Sequence, residues 1–179
     1  EKGFVSFHQD AKYIGLEPHN WVTAWIAVTN SNEENGCMRM LPGSHKENLK
    51  NHKQKFDKDN LLTRGQTIAN VLIDKTEPIV LKAGQMSLHH PTVIHGSGLN
   101  RSNDRRIGFV VQSYIGSNVD QVLGKIYVQK ARGEDTHKFH EYSNVPKELM
   151  AKEDIMSWNK AKDELSKIFY SGANKKGKY

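Results

Sequence analysis

Apolar, aromatic and β-branched residues come in short bursts along this chain, and most bursts are too short for a helix. Strand-like runs lie at 3–7 (GFVSF), 21–30 (WVTAWIAVTN) and 37–45 (CMRMLPGSH), the last ended by proline and glycine. Others follow at 67–73 (TIANVLI), 78–82 (PIVLK), 85–90 (QMSLHH), 92–98 (TVIHGSG) and 106–115 (RIGFVVQSYI). Residues 30–36 (NSNEENG) read as a turn. Residues 46–65 are long, charged and without apolar period, which within a compact domain points to a lid or binding loop. Short strands with no helical pattern between them predict an all-β sandwich or barrel. The period changes only at 146–169 (PKELMAKEDIMSWNKAKDELSKIF), where apolar residues recur at helix-like intervals and Pro146 can open the first turn. The expected organisation is a β core over 1–145, a helix packed on it over 146–170, and a flexible tail over 171–179.

Composition narrows the classes. At 179 residues the chain fits one domain with a sizeable core. No apolar run approaches the roughly 18 residues that span a bilayer, and the first residues do not read as a signal peptide. No membrane partner is therefore expected. The single cysteine, Cys37, allows no internal disulfide and fits a reducing, cytoplasmic setting. A net charge of +6 raises the question of nucleic acid. Most cations are lysines scattered through 46–58 and 172–179, with no basic stripe interleaved with aromatics, so no nucleic-acid partner is expected.

The candidate chemistry starts at FHQDAKYI, residues 7–14. If the strand continues, His8 and Asp10 face the same way, since side chains alternate along a strand. Imidazole and carboxylate together suit a divalent metal. One more histidine would complete the two-histidine, one-carboxylate face of non-haem Fe(II) oxygenases. Alone, the pair is equally an ordinary hydrogen-bonded couple at a strand end. The second anchor is HHPTVIHGSGLNRSNDRRIG (89–108), where His95 precedes Gly-Ser-Gly and Arg106 follows eleven residues later.

With HQD, then AWIAVTNSNEENGCMRMLPGSHK, then HPTVIHGSG and that arginine, the chain resembles the phytanoyl-CoA dioxygenase family of Fe(II)/2-oxoglutarate-dependent oxygenases. The likeness runs over roughly residues 3–115, with a fainter match at 131–139. It implies a double-stranded β-helix (a cupin-like jelly roll) with Fe(II), 2-oxoglutarate and O2. It also implies hydroxylation of a C–H bond of a small or carrier-linked substrate, with succinate and CO2 as co-products. By position, His8, Asp10 and His95 match the iron ligands, and Arg106 and Ser97 the partners of the far carboxylate of 2-oxoglutarate. Trp25 matches an aromatic beside that cosubstrate. Members of the family usually carry a substantial region before the first motif, and it is expected to be missing from this sequence.

Physical chemistry supports these assignments. A buried dicarboxylate needs a fixed cation, and a guanidinium offers two parallel donors. Strand alternation groups Arg106, Gly108, Val110 and Gln112 on one face, and Gly108 would leave room there for a bound molecule, which favours Arg106 over Arg105. Other residues carry weaker expectations. Arg39 could meet an anionic substrate or extend to solvent. His90 reads as structural, His45 as a turn cap and Cys37 as a small buried residue. His89 shares the parity of His95, but a turn at Pro91 would break that phase, so it is set aside as a ligand. Two other activities remain open. Halogenases of the same fold lack the iron carboxylate, and a non-catalytic metal-binding jelly roll would not need Arg106.

Overall fold

The computed structural model describes residues 3–175, so residues 176–179 of the tail expected at 171–179 lie outside the described residues. In chain order the strands are β1 (Val5–His8), β2 (Leu16–Glu17), β3 (Trp21–Ala27), β4 (Met38–Met40), β5 (Lys53–Gln54), β6 (Gln66–Thr67) and β7 (Glu77–Pro78). Then come β8 (Met86–His89), β9 (His95–Ser97), β10 (Gly108–Ile115), β11 (Asp120–Gln121), β12 (Tyr127–Val128) and β13 (Glu141–Tyr142). Two α-helices, α1 (Ala11–Ile14) and α2 (Lys152–Phe169), accompany them. None of the described helices is long and apolar enough to cross a membrane.

Two antiparallel sheets make the body. One has the order β1-β9-β4-β7 and the other β10-β3-β8. The apolar core of Ala11, Ile14, Leu16, Trp21 and Val119 gathers around α1, with Leu49, Ile115 and Ile126 packed against it. The buried polar residues His8, Thr23, His89, His95 and Ser97 all lie on strands of the two sheets. Buried polar groups need partners, so such a set is a stabilising core only if something satisfies it.

Several expectations fail locally. Of the run 67–73 only Thr67 is in a strand, paired through β6 with β5; Leu72 and Ile73 are exposed, and a 3-10 turn follows at Ile73–Lys75. Of 78–82 only Pro78 belongs to a strand, while Leu81 makes an isolated bridge to Ser31. β-branched composition does not make a strand where no neighbour offers a ladder. The charged stretch 46–65 is fastened to β1. Phe4 N–H donates to Asp59 O and Leu61 N–H to Phe4 O, while Asn60 bonds both the backbone and the hydroxyl of Ser6.

The last helix begins at Lys152, not at Pro146. Met150 adopts φ 60 and Ala151 the extended N-cap, so the chain turns just before the helix. At its other end the buried Arg64 guanidinium donates to the carbonyls of Phe169 and Ser171, satisfying acceptors that a helix end leaves open. Residues just beyond are also held, with Asn174 N–H donating to Gln54 Oε1.

Candidate metal centre

His8 and His95 are cross-strand partners on β1 and β9, and their ring centroids stand 4.2 Å apart. Gly96, next to His95, permits that close pairing, since a Cβ there would come within 2.8 Å of the Val5 carbonyl oxygen. Each ring is oriented by its own chain. Nδ1 of His8 lies 2.8 Å from Ser6 O, and Nδ1 of His95 lies 3.1 Å from Val93 O. Carbonyls only accept, so both Nδ1 atoms carry the proton and both Nε2 lone pairs are left for a metal.

Asp10 reaches this pair by a route the strand pattern does not contain. β1 ends at His8, and Asp10 is the N-cap of α1 with helical φ −58 and ψ −43. The chain therefore bends the carboxylate over the imidazoles rather than alternating it there. Gln9, with no exposed surface, fixes the bend. Its Nε2 donates to Thr92 O at 2.7 Å, its Oε1 accepts from Lys50 N–H at 2.8 Å, and its own N–H meets His52 Nε2 at 3.0 Å.

Oδ1 of Asp10 is 3.3 Å from His8 Nε2 and 3.9 Å from His95 Nε2. The ligand atoms of His8, Asp10 and His95 all lie within 4.8 Å of one another, and all three residues are buried. Donors at about 2.1 Å on one metal stand roughly 3 Å apart at right angles, and each histidine's gap to Asp10 Oδ1, 3.3 and 3.9 Å, is within an ångström of that. Burial would push the Asp10 carboxyl up, yet His95, His8 and His89 together hold it well below the carboxylate range. Burial, reinforced by His8, pushes His95 down to about 3, against the opposing pull of Asp10. An ionised carboxylate beside the neutral His95 imidazole, with the His8 imidazole next to both, is the kind of donor set a divalent metal takes.

The opposite sheet meets the other oxygen. Thr23 and His89 are cross-strand partners on β3 and β8; Thr23 Oγ1 donates to Asp10 Oδ2 at 3.2 Å, and His89 Nε2 stands 3.9 Å from the same atom. Reading parity along one segment gives no notice of this, because the encounter is between sheets. His90 turns elsewhere, with Nδ1 2.7 Å from Thr92 Oγ1 and its ring 5.8 Å from that of His45, which lies in a 3-10 turn.

Arg106 sits just before β10, half-buried, with its guanidinium carbon 5.5 Å from the centre of the Trp25 ring. Among the described residues no hydrogen bond or ion pair engages that guanidinium. Ser97 Oγ, Ser87 Oγ and His89 Nδ1 are likewise buried without a hydrogen-bond partner. A half-buried cation against Trp25 and buried hydroxyls without partners on β8 and β9 are groups whose chemistry suits an anionic ligand.

Gly108 serves a different end from the one expected. A Cβ there would fall 2.1 Å from Trp25 Cζ2, so the missing side chain makes room for the indole, not for a ligand. Arg105 is exposed. Arg39 is not brought to this group: it donates to Thr76 Oγ1 at 2.8 Å, to Thr76 O at 2.7 Å and to Glu33 Oε2 at 2.9 Å. Cys37 is a buried free thiol whose pKa burial raises. A groove of about 900 Å³ opens between β10 and α2, reaching Tyr13, Tyr127 and Ile168, and none of His8, Asp10, His95 or Arg106 lines it.

The family model "Phytanoyl-CoA dioxygenase (PhyH)" matches residues 1–108, a span that includes His8, Asp10, His95 and Arg106. A probable alpha-ketoglutarate-dependent hypophosphite dioxygenase of Stutzerimonas stutzeri is 30% identical over 122 residues, covering 67% of this chain and 42% of that protein. The peroxisomal phytanoyl-CoA dioxygenase of Mus musculus is 33% identical over 103 residues, covering 55% and 30%. The chain thus spans less than half the length of either relative. The apo structure of ThoJ, a non-heme monooxygenase, superposes with a TM-score of 0.80 at 27% identity over 95% of this chain and 62% of that one. The expected jelly roll is therefore the fold observed. Matched over more than half its length, the chain belongs to the phytanoyl-CoA dioxygenase family.

Proposed function

We propose that this chain carries the centre of an Fe(II)/2-oxoglutarate-dependent dioxygenase that hydroxylates an unactivated C–H bond of a small or carrier-linked molecule. Behind it stand the buried His8-Asp10-His95 donor set and a half-buried Arg106 that stacks near Trp25 and has no hydrogen bond or ion pair among the described residues. His8 Nε2, Asp10 Oδ1 and His95 Nε2 would hold the metal by one face and leave the opposite face for ligands. Arg106 would take the far carboxylate of 2-oxoglutarate, with the Ser97 hydroxyl as a second partner and Trp25 supporting the guanidinium. When bound, Fe(II), 2-oxoglutarate and O2 supply the oxidising power for C–H hydroxylation, with release of succinate and CO2. The protein's share is to keep Nδ1–H of both histidines on backbone carbonyls, hold the carboxylate ionised, and restrict water at the buried centre. A reducing, cytoplasmic setting suits ferrous iron and the free Cys37 thiol.

Two other readings fit less well. Halogenation requires an open iron position for halide, and the Asp10 carboxylate fills it. A purely metal-storing jelly roll gives no reason for a half-buried, unpaired Arg106. The test is an anaerobic titration of the chain with Fe(II) and 2-oxoglutarate, following the metal-to-ligand absorption band. Substrate-dependent succinate release and product mass in chloride buffer follow. A band and a product heavier by one oxygen are expected. Absence of any band would sink the cosubstrate site, and a chlorinated product would replace hydroxylation with halogenation.

A further inference from the structure

His89 is a buried histidine to which the proposed chemistry assigns no part. It is 5% exposed, its ring centroid lies 4.9 Å from that of His95, and its Nδ1 is buried without a partner. Its own donor atoms fall outside the three-residue ligand cluster, so it is not a fourth ligand of that set. What it faces is the back of the carboxylate. The pair His8–His95 from one sheet approaches Oδ1 of Asp10, at 3.3 and 3.9 Å. The pair Thr23–His89 from the other approaches Oδ2, at 3.2 and 3.9 Å.

We infer that His89 is a positioning residue: together with Thr23 it holds Oδ2 of Asp10, so that the carboxylate presents Oδ1 alone to the metal. The inference rests on the ligand assignment above and extends it to the oxygen the metal does not use. A carboxylate is able to chelate through both oxygens, which on a three-residue face would close a position needed by ligands. Two donors on Oδ2 work against that. An ionised carboxylate offers about four lone-pair sites, and Thr23 alone leaves Oδ2 short of partners in a buried place. The His89 gap is roughly 1 Å beyond hydrogen-bonding range. His95 stands at the same separation from Oδ1, so the pocket has equal slack on both sides of the carboxylate. With Nε2–H directed at Oδ2, Nδ1 is an acceptor. That Nδ1 has no partner of either kind among the described residues. A role in packing alone would be filled by phenylalanine, and that alternative defines the experiment.

The chain and its variants His89→Phe, His89→Gln and Thr23→Val are titrated with Co(II) under nitrogen, following the ligand-field absorption. The thermal midpoint of each metal-free protein is measured in parallel. His89→Phe is expected to weaken Co(II) binding by about 10–100-fold and to change the band shape, the usual scale for losing a hydrogen bond to a metal ligand. His89→Gln, which keeps an N–H donor, recovers most of that loss. Thr23→Val weakens binding several-fold without lowering the metal-free midpoint in proportion. Wild-type affinity and spectrum in either His89→Phe or Thr23→Val overturn the inference. So does a His89→Gln protein as poor as His89→Phe. Should His89→Phe fail to fold, Thr23→Val and His89→Gln decide: the former must bind Co(II) several-fold more weakly and the latter must stay near wild type. A wild-type chain that takes up no Co(II) would instead sink the metal-site reading itself.

Discussion

The backbone N–H of Gln9 lies 3.0 Å from Nε2 of His52, so the residue between two proposed ligands is held by an imidazole from a distant loop. Nδ1 of His52 donates to Lys50 O at 2.9 Å, which leaves Nε2 as the acceptor. Protonation of that ring would set one donor against another. Burial pushes His52 down to about 4, and His95 to about 3.

For both rings the folded pKa lies below the unfolded value of about 6.5. Their contribution is therefore complete above pH 6.5 and is lost as pH falls towards 4 and 3, because the unfolded chain takes up protons that the folded one refuses. For the nearly inaccessible His95 the slope approaches about 1.4 kcal/mol per pH unit. Urea midpoints of the metal-free chain should fall steadily from pH 7 to pH 4.5. A midpoint that holds or rises on acidification would contradict this assignment of charge.

Gln9 itself is open to test. Gln9→Ala leaves Thr92 O and Lys50 N–H, both bonded in the wild type, without their partners. The buried Thr92 carbonyl left unpaired costs about 1–3 kcal/mol, while water can reach the N–H of the exposed Lys50. Gln9→Glu keeps an acceptor for Lys50 but turns an oxygen towards Thr92 O, so it should also destabilise. Denaturant unfolding measures both; a change under about 0.5 kcal/mol for Gln9→Ala would show the bend to be held by other means.

Arg106→Ala should weaken 2-oxoglutarate binding by about 2–4 kcal/mol, since the far carboxylate would lose its charged, two-donor partner. Arg105, exposed, should tolerate the same change with little effect. Anaerobic titration of the Fe(II) protein compares them directly. The reverse result would move the cosubstrate to the other face of the strand.

Gly108→Ala probes the same pocket without touching a charge. Its Cβ would stand 2.1 Å from Trp25 Cζ2, so the indole must shift, and with it the support beneath Arg106. Loss of 2-oxoglutarate binding with Co(II) affinity kept is the expected pattern. Adding Trp25→Phe gives the methyl group space and should restore part of the binding. Equal loss of metal and cosubstrate would mean general unfolding of the sheet instead.

Arg39→Ala should lower stability by about 1–3 kcal/mol, because Thr76 O and Thr76 Oγ1 lose their guanidinium partner between β4 and the turn before β7. Metal and 2-oxoglutarate affinities should not change. A selective fall in substrate affinity with stability intact would return Arg39 to the substrate site.

Much of this was legible in the chain. Bursts of aromatic and β-branched residues located β1, β3, β4, β8, β9 and β10, since a half-buried strand shows its two faces in adjacent residues. HQD, the later His95 and Arg106 carried the candidate site residues through their resemblance to the family's motifs. Local windows were silent on the rest. The run 67–73 looked like a strand but found almost no partner, and Pro146 looked like a helix start where the turn at Met150 postponed it. Asp10 joins the histidines through a helical bend held by Gln9 against Thr92, 83 residues away. Thr23 and His89 meet its second oxygen only because two sheets close on each other. Periodicity specifies which face a side chain takes within its own element. Which elements then face one another, and at what distance, is set by long-range hydrogen bonds and sheet packing that no short stretch contains.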